Sequence, residues 1–115
     1  MIQIFGIRNC DTMKKAFRWL DDNNIEYSFH DYKKSSLDEA TAKVWIETMG
    51  WENIINKRGT TWRKLDEETK NTMNDDNAIQ IMIAQPSIIK RPLIVAKGSI
   101  YLGFSAEEYA NIFLA

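Results

Sequence analysis

Ile2-Gln3-Ile4-Phe5-Gly6-Ile7-Arg8-Asn9-Cys10-Asp11-Thr12-Met13 passes from an apolar run, through a polar loop, into the start of a helix. Ile2 to Phe5 reads as a buried strand, and Gly6-Ile7-Arg8-Asn9 as a loop. Asp11-Thr12 offers capping chemistry for a helix running from Met13 onward. Ala16, Phe17, Trp19 and Leu20 give that helix an apolar face, with Lys14, Lys15 and Arg18 interleaved. Asn23-Asn24 ends it. Ile25 to Tyr32 then alternates with period two, the pattern of a half-buried strand. Strand, helix, strand is the plan of a βαβ unit.

Further out, Ser35-Ser36 caps a helix from Leu37 to about Met49, with Gly50 at its end. Trp51 to Lys57 reads as a short helical piece and Arg58-Gly59-Thr60-Thr61 as a turn. Leu65 to Met73 and Asn77 to Ala84 read as two more helices, split by Asn74-Asp75-Asp76. Gln85-Pro86 closes the helical block, because a residue before proline is pushed out of the helical region. Leu93 to Ala96 is a buried strand, Lys97-Gly98 a hairpin turn and Ser99 to Phe104 the partner strand. Ser105 caps a final helix from Ala106 to about Phe113, and Ser105-x-x-Glu108 is a capping box. The expected fold is α/β: a small mixed four-stranded sheet with flanking helices, one domain over residues 1–115, with a helical insertion at about 37–85.

Composition narrows the chemistry. The chain has 115 residues, 44% hydrophobic and 27% charged, which suits one folded domain rather than a disordered segment. A formal net charge of -1 argues against a dedicated nucleic-acid or polybasic membrane protein. A single Cys and a single His exclude an internal disulfide, zinc-finger spacings and multi-Cys iron–sulfur sites. The acidic run Asp66-Glu67-Glu68 complements a helix dipole and Asp75-Asp76 reads as a turn and cap, so no metal is assigned. The apolar N-terminus is too short for a signal-peptide core, and a lone thiol fits the cytoplasm as the expected compartment.

Cys10 lies at the entry to a helix, where unpaired N–H groups favour an anion. A thiolate is such an anion, and this position lowers thiol pKa. Polar flanks on both sides set it apart from a buried structural cysteine, and Arg8 adds positive charge two residues away. Met13 stands where the second thiol of a Cys-x-x-Cys pair would be, so any resolving thiol comes from outside, most simply from glutathione. His30, in an alternating strand, is read as solvated rather than as a partner of Cys10. Trp19 and Trp45 are in phase with apolar neighbours and are read as core; Trp62 is also read as packing, beside the turn that carries Arg58.

Phe5-Gly6-Ile7-Arg8-Asn9-Cys10-Asp11-Thr12 with Lys14-Lys15-Ala16 resembles the opening of the arsenate reductase-like (ArsC/Spx) family. Lys57-Arg58-Gly59-Thr60-Thr61-Trp62, Ile89-Lys90-Arg91-Pro92 and Leu102-Gly103-Phe104 follow the same pattern in order, most like the short YffB-type members. The resemblance implies a thioredoxin-like fold and a glutathione-dependent thiol reductase. In it Cys10 is the nucleophile, Arg91 precedes a cis-proline at Pro92 facing the cysteine, and Arg58 closes the site from the helical insert. Glutathione is then a co-substrate rather than a bound cofactor. The partners are glutathione, a small oxidised substrate or a glutaredoxin-like protein. Gly6 stands where arsenate reductases of this type carry a histidine, and Phe104 where they carry a third arginine. A true arsenate reductase and a Spx-type regulatory or partner-binding module without turnover are the alternatives.

Overall fold

The structure, a computed structural model, describes residues 1–115. Its contacts group into two compact units, Met1–Asp31 with Arg91–Ala115, and Tyr32–Lys90.

The first unit holds the whole sheet. Strands β1 (Ile2–Gly6), β2 (Tyr27–Asp31), β3 (Leu93–Ala96) and β4 (Ser99–Leu102) lie in the order β2-β1-β3-β4. β1 pairs parallel with β2, Ile4 opposite Phe29, and antiparallel with β3, Ile4 opposite Ile94. β3 and β4 form an antiparallel hairpin. Its turn, Lys97-Gly98, has positive φ at both residues (53° and 74°), the conformation that matches the right-handed twist of the flanking strands. This mixed sheet is the thioredoxin-like arrangement expected from the sequence.

Helices α1 (Asp11–Asp22) and α7 (Ala106–Phe113) complete this unit. Ile2 and Ile4 of β1, Met13, Ala16 and Leu20 of α1, Ile94 and Ala96 of β3, and Tyr109 of α7 form one buried cluster. The spacing of Met13, Ala16 and Leu20 puts all three on one helical face. Trp19 differs from its sequence reading: it is half-buried, edge-on to Tyr109 at 5.5 Å between ring centroids.

The second unit is helical: α2 (Glu39–Met49), α3 (Trp51–Ile54), α4 (Thr60–Arg63), α5 (Glu67–Asn71), α6 (Asp75–Ala84) and a 3-10 turn, Pro86–Ile88. α2 packs on α6, burying Ala42, Trp45 and Ile46 of the one and Ala78, Ile79 and Met82 of the other. A single bridge pairs Ile55 with Ile89, flanked by Asn56 N–H donating to the Ile88 carbonyl (2.8 Å) and Lys90 N–H to that of Ile54 (2.9 Å).

Several boundaries differ from the sequence reading, mostly because a different side chain takes the cap. α2 begins at Glu39 rather than Leu37, since Asp38, not Ser35-Ser36, accepts the Thr41 N–H (2.7 Å). α6 begins at Asp75, since Asn74 accepts the Asn77 N–H (2.9 Å). α5 is shorter than Leu65 to Met73, starting after its cap Asp66. The turn at Arg58-Gly59-Thr60-Thr61 runs on into the single helical turn of α4. β4 stops at Leu102, before Gly103 at φ 81°. No helix is long and apolar enough to cross a membrane.

Candidate active site

β1 ends at Gly6 and α1 begins at Asp11, which puts Cys10 at the N-cap itself, with φ −151° and ψ 128°. Helix formation therefore starts two residues earlier than Met13, and the cysteine occupies the position that Ser, Asp or Asn takes on other helices. Its carbonyl accepts the Lys14 N–H at 2.9 Å. No side-chain cap bond closes the turn as a hydroxyl would, and the first-turn N–H groups of Thr12 and Met13 act on the thiol itself.

Cys10 is half-buried, and burial alone pushes its thiol up. Opposing that are the Met13 N–H, a hydrogen bond and positive charge from the Arg91 guanidinium, and the Thr12 N–H. Together they prevail and hold the thiol below its ordinary value. Arg91 is brought there by β3. The Arg91–Pro92 peptide bond is cis, and the Pro92 carbonyl accepts the Gly103 N–H (2.9 Å), tying the start of β3 to the end of β4.

The remaining candidates have other surroundings. The Arg8 guanidinium lies over the ring of Phe29 at 5.0 Å and that of Phe17 at 6.0 Å, a cation–π arrangement against α1 and β2. Arg58 belongs to the helical unit, is exposed, and donates its backbone N–H to Asn56 Oδ1 at 3.1 Å. Beside it Lys57 lies over both Trp51 (4.9 Å) and Trp62 (5.6 Å). His30 stacks on Phe5 at 4.5 Å and hydrogen-bonds through Nε2 to Gln3 Oε1. No group of His, Cys, Asp and Glu is placed to hold a metal ion.

Two features of the site were not read from the sequence. One is a shared space between Gly6 and Met13. A Cβ on Gly6 would meet Met13 Sδ at 2.5 Å and Cε at 2.7 Å, and Met13 is fully buried. Methionine in place of a second thiol thus fills the room that a side chain at position 6 would need.

The other is Tyr109. Its ring meets Phe104 edge-on at 4.9 Å, and its hydroxyl donates to the Gly103 carbonyl at 2.7 Å. Phe104 precedes the cap Ser105, which accepts the Glu108 N–H (3.3 Å), and Tyr109 follows Glu108. This is a hydrophobic staple, and the Phe-Ser-x-x-Glu-Tyr spacing was its signal. Burial, with a smaller contribution from Glu108, holds the Tyr109 phenol above its ordinary value, so it stays a hydrogen-bond donor.

The chain matches the model of the ArsC family over residues 5–112. It is 43% identical to a solved structure named YFFB protein, with a TM-score of 0.92 over 96% of this chain and 97% of that one. It is 45% identical to the structure of an arsenate reductase (ArsC) related protein from Brucella melitensis, with a TM-score of 0.80 over 97% and 93% of the two chains. It is 27% identical to the global transcriptional regulator Spx of Streptococcus pyogenes, over 94% of this chain and 81% of that protein. A thiol whose pKa is held down at a helix start, beside an arginine preceding a cis-proline, stands within a match spanning nearly all residues: the chain belongs to the ArsC family.

Proposed function

We propose that this protein is a glutathione-dependent thiol reductase that works through Cys10 alone. The observation that carries the reading is the lowered Cys10 pKa, owed to the first-turn N–H groups and Arg91. The substrate class is a mixed disulfide between glutathione and a small thiol or protein thiol. Cys10 thiolate attacks the glutathione sulfur; a Cys10–glutathione disulfide forms as the substrate's S–S bond breaks, and the substrate sulfur leaves as thiolate and takes a proton from water. A second glutathione, deprotonated, attacks the Cys10–glutathione disulfide. Oxidised glutathione leaves and Cys10 returns as thiolate. The glutathione carried in by the substrate and one free glutathione leave together as oxidised glutathione, and the substrate thiol leaves reduced, so the cycle needs no second thiol in this chain.

Arg91 stabilises the attacking and departing thiolates, and the backbone edge at Pro92 borders the ligand. Arg8 is assigned to a glutathione carboxylate. Arg58 is carried by the resemblance and is assigned the same task. A glutaredoxin-like protein is the alternative reductant, and the cytoplasm, with its reduced glutathione pool, is the compartment.

The test combines the pH dependence of Cys10 alkylation with reduction of a glutathione mixed disulfide of a small thiol, followed through oxidised glutathione. Alkylation that titrates below a free thiol, with turnover lost in Cys10→Ser, is expected. Ordinary thiol titration without turnover returns the chain to the Spx-type reading, which its similarity to Spx favours. Turnover of arsenate, but not of the mixed disulfide, returns it to arsenate reduction.

A further inference from the structure

A cavity of about 490 Å³ opens along the outer side of α1, beginning at Asp11 beside Cys10 and ending at Asp22. Its floor is aromatic, formed by Trp19 and Phe104. Both rings stand edge-on to Tyr109, Phe104 at 4.9 Å and Trp19 at 5.5 Å. The Tyr109 hydroxyl is anchored on the Gly103 carbonyl, so the floor is held before any ligand arrives. Lys14, Lys15 and Arg18 line the middle of the cavity, while the carboxylates of Asp11 and Asp22 stand at its ends. All three cations are exposed, and neither Lys43–Glu47 nor Lys70–Glu67 involves them. Exposed cations over an apolar floor complement a ligand carrying carboxylates on an apolar body.

The length of the groove suits a polypeptide segment. From Asp11 to Asp22 the helix rises about 16 Å, at 1.5 Å per residue. That is the reach of about five residues of extended chain at 3.3 Å each.

We propose that this groove docks an acidic polypeptide segment with an apolar or aromatic side chain among its carboxylates. The apolar side chain seats between Trp19 and Phe104, and the carboxylates meet Lys14, Lys15 and Arg18. Resting on the reductase reading, the proposal names its substrate class: oxidised protein thiols flanked by acidic sequence. The groove gives Phe104 a second use besides stapling α7.

The experiment uses the full chain and a short fluorescein-labelled peptide alternating glutamate and phenylalanine, with fluorescence anisotropy as readout. Three competitors accompany it: the same peptide with glutamine for glutamate, one with lysine for glutamate, and a single-stranded oligonucleotide. The acidic peptide is expected to bind best, and to weaken about tenfold as salt rises from about 50 to 300 mM. Lys15→Glu with Arg18→Glu, both exposed and expected to fold, is expected to weaken it at least tenfold. Phe104→Ala is the independent check on the floor.

The double variant is expected to keep wild-type turnover of the small mixed disulfide, and Cys10→Ser to keep peptide binding while losing turnover. Docking and chemistry therefore fail separately. Absence of acidic-peptide binding, equal binding of the glutamine peptide, tighter binding of the oligonucleotide, or indifference to the double variant each overturns the proposal.

Discussion

The N-terminus of α1 and those of α2, α6 and α7 use one physical resource differently. Each starts with backbone N–H groups that no intrahelical carbonyl can satisfy. At α2, α6 and α7 the caps Asp38, Asn74 and Ser105 accept a first-turn N–H through a side-chain oxygen. At α1 the cap is Cys10, which offers a sulfur rather than an oxygen and whose thiol is held down by the same kind of N–H group and by Arg91. Where the helix start is closed by an oxygen it serves stability. Where it is left to a sulfur it serves an anion, and the surrounding core must hold the helix in place.

That contrast gives the sharpest test. Cys10→Ser is expected to abolish thiol turnover, the largest effect here, because a serine hydroxyl is not ionised near neutrality. The same change supplies the missing cap. At acid pH, where the thiol is protonated, it is expected to stabilise the fold by about 0.5–1 kcal/mol in urea denaturation. A variant that is both inactive and less stable breaks the comparison.

If the core rather than a cap secures the α1 end, removing the aromatic hub is costly. Tyr109→Ala is expected to lose about 3–5 kcal/mol. Tyr109→Phe, which gives up only the hydrogen bond to Gly103, is expected to lose about 1 kcal/mol. Equal losses in the two variants would assign the effect to the hydroxyl instead of the ring.

Gly6 and Met13 are expected to be coupled. Gly6→Ala costs about 1–3 kcal/mol through overpacking against Met13. In a Met13→Ala background the same change is expected to cost little, since the colliding atoms are gone, and a double-mutant cycle reads the difference. Additive losses would place the strain elsewhere.

The electrostatic half of the contrast is read through pH. Arg91→Gln is expected to raise the Cys10 titration toward that of a free thiol, as followed by alkylation. Cys10 is held down in the folded state. Its contribution to stability is therefore full above the unfolded thiol pKa, about 8.5, and is lost as pH falls through the lower folded value. The stability gap between wild type and Arg91→Gln is expected to widen as pH rises through that window; a constant gap would leave Arg91 a packing role only. Asn74→Ala, which removes the cap of α6, is expected to cost about 1 kcal/mol with turnover unchanged.

The order of strands and helices was legible in the sequence because it rests on local rules. Period-two alternation marked β2, Lys97-Gly98 marked the hairpin, and Ser105-x-x-Glu108 marked α7. Cys10 was legible as a thiol at a helix start for the same reason. Helix starts inside the helical unit were less so. Ser35-Ser36, Asp38 and Asn74 are all competent caps, and local sequence does not rank them. The choice falls to whichever lets the following helix bury its apolar face, as Ala42, Trp45 and Ile46 do after Asp38.

By itself the sequence determined an α/β chain with a mixed sheet, a lone thiol poised between strand and helix, and an arginine before a proline. Tertiary structure alone decided which charges meet that thiol. Arg8, two residues away, turns its guanidinium onto Phe29 and Phe17, while Arg91, far along the chain, reaches Cys10 because β3 pairs with β1. Electrostatic influence falls with distance through space, and separation along the chain says little about that distance once strands have paired.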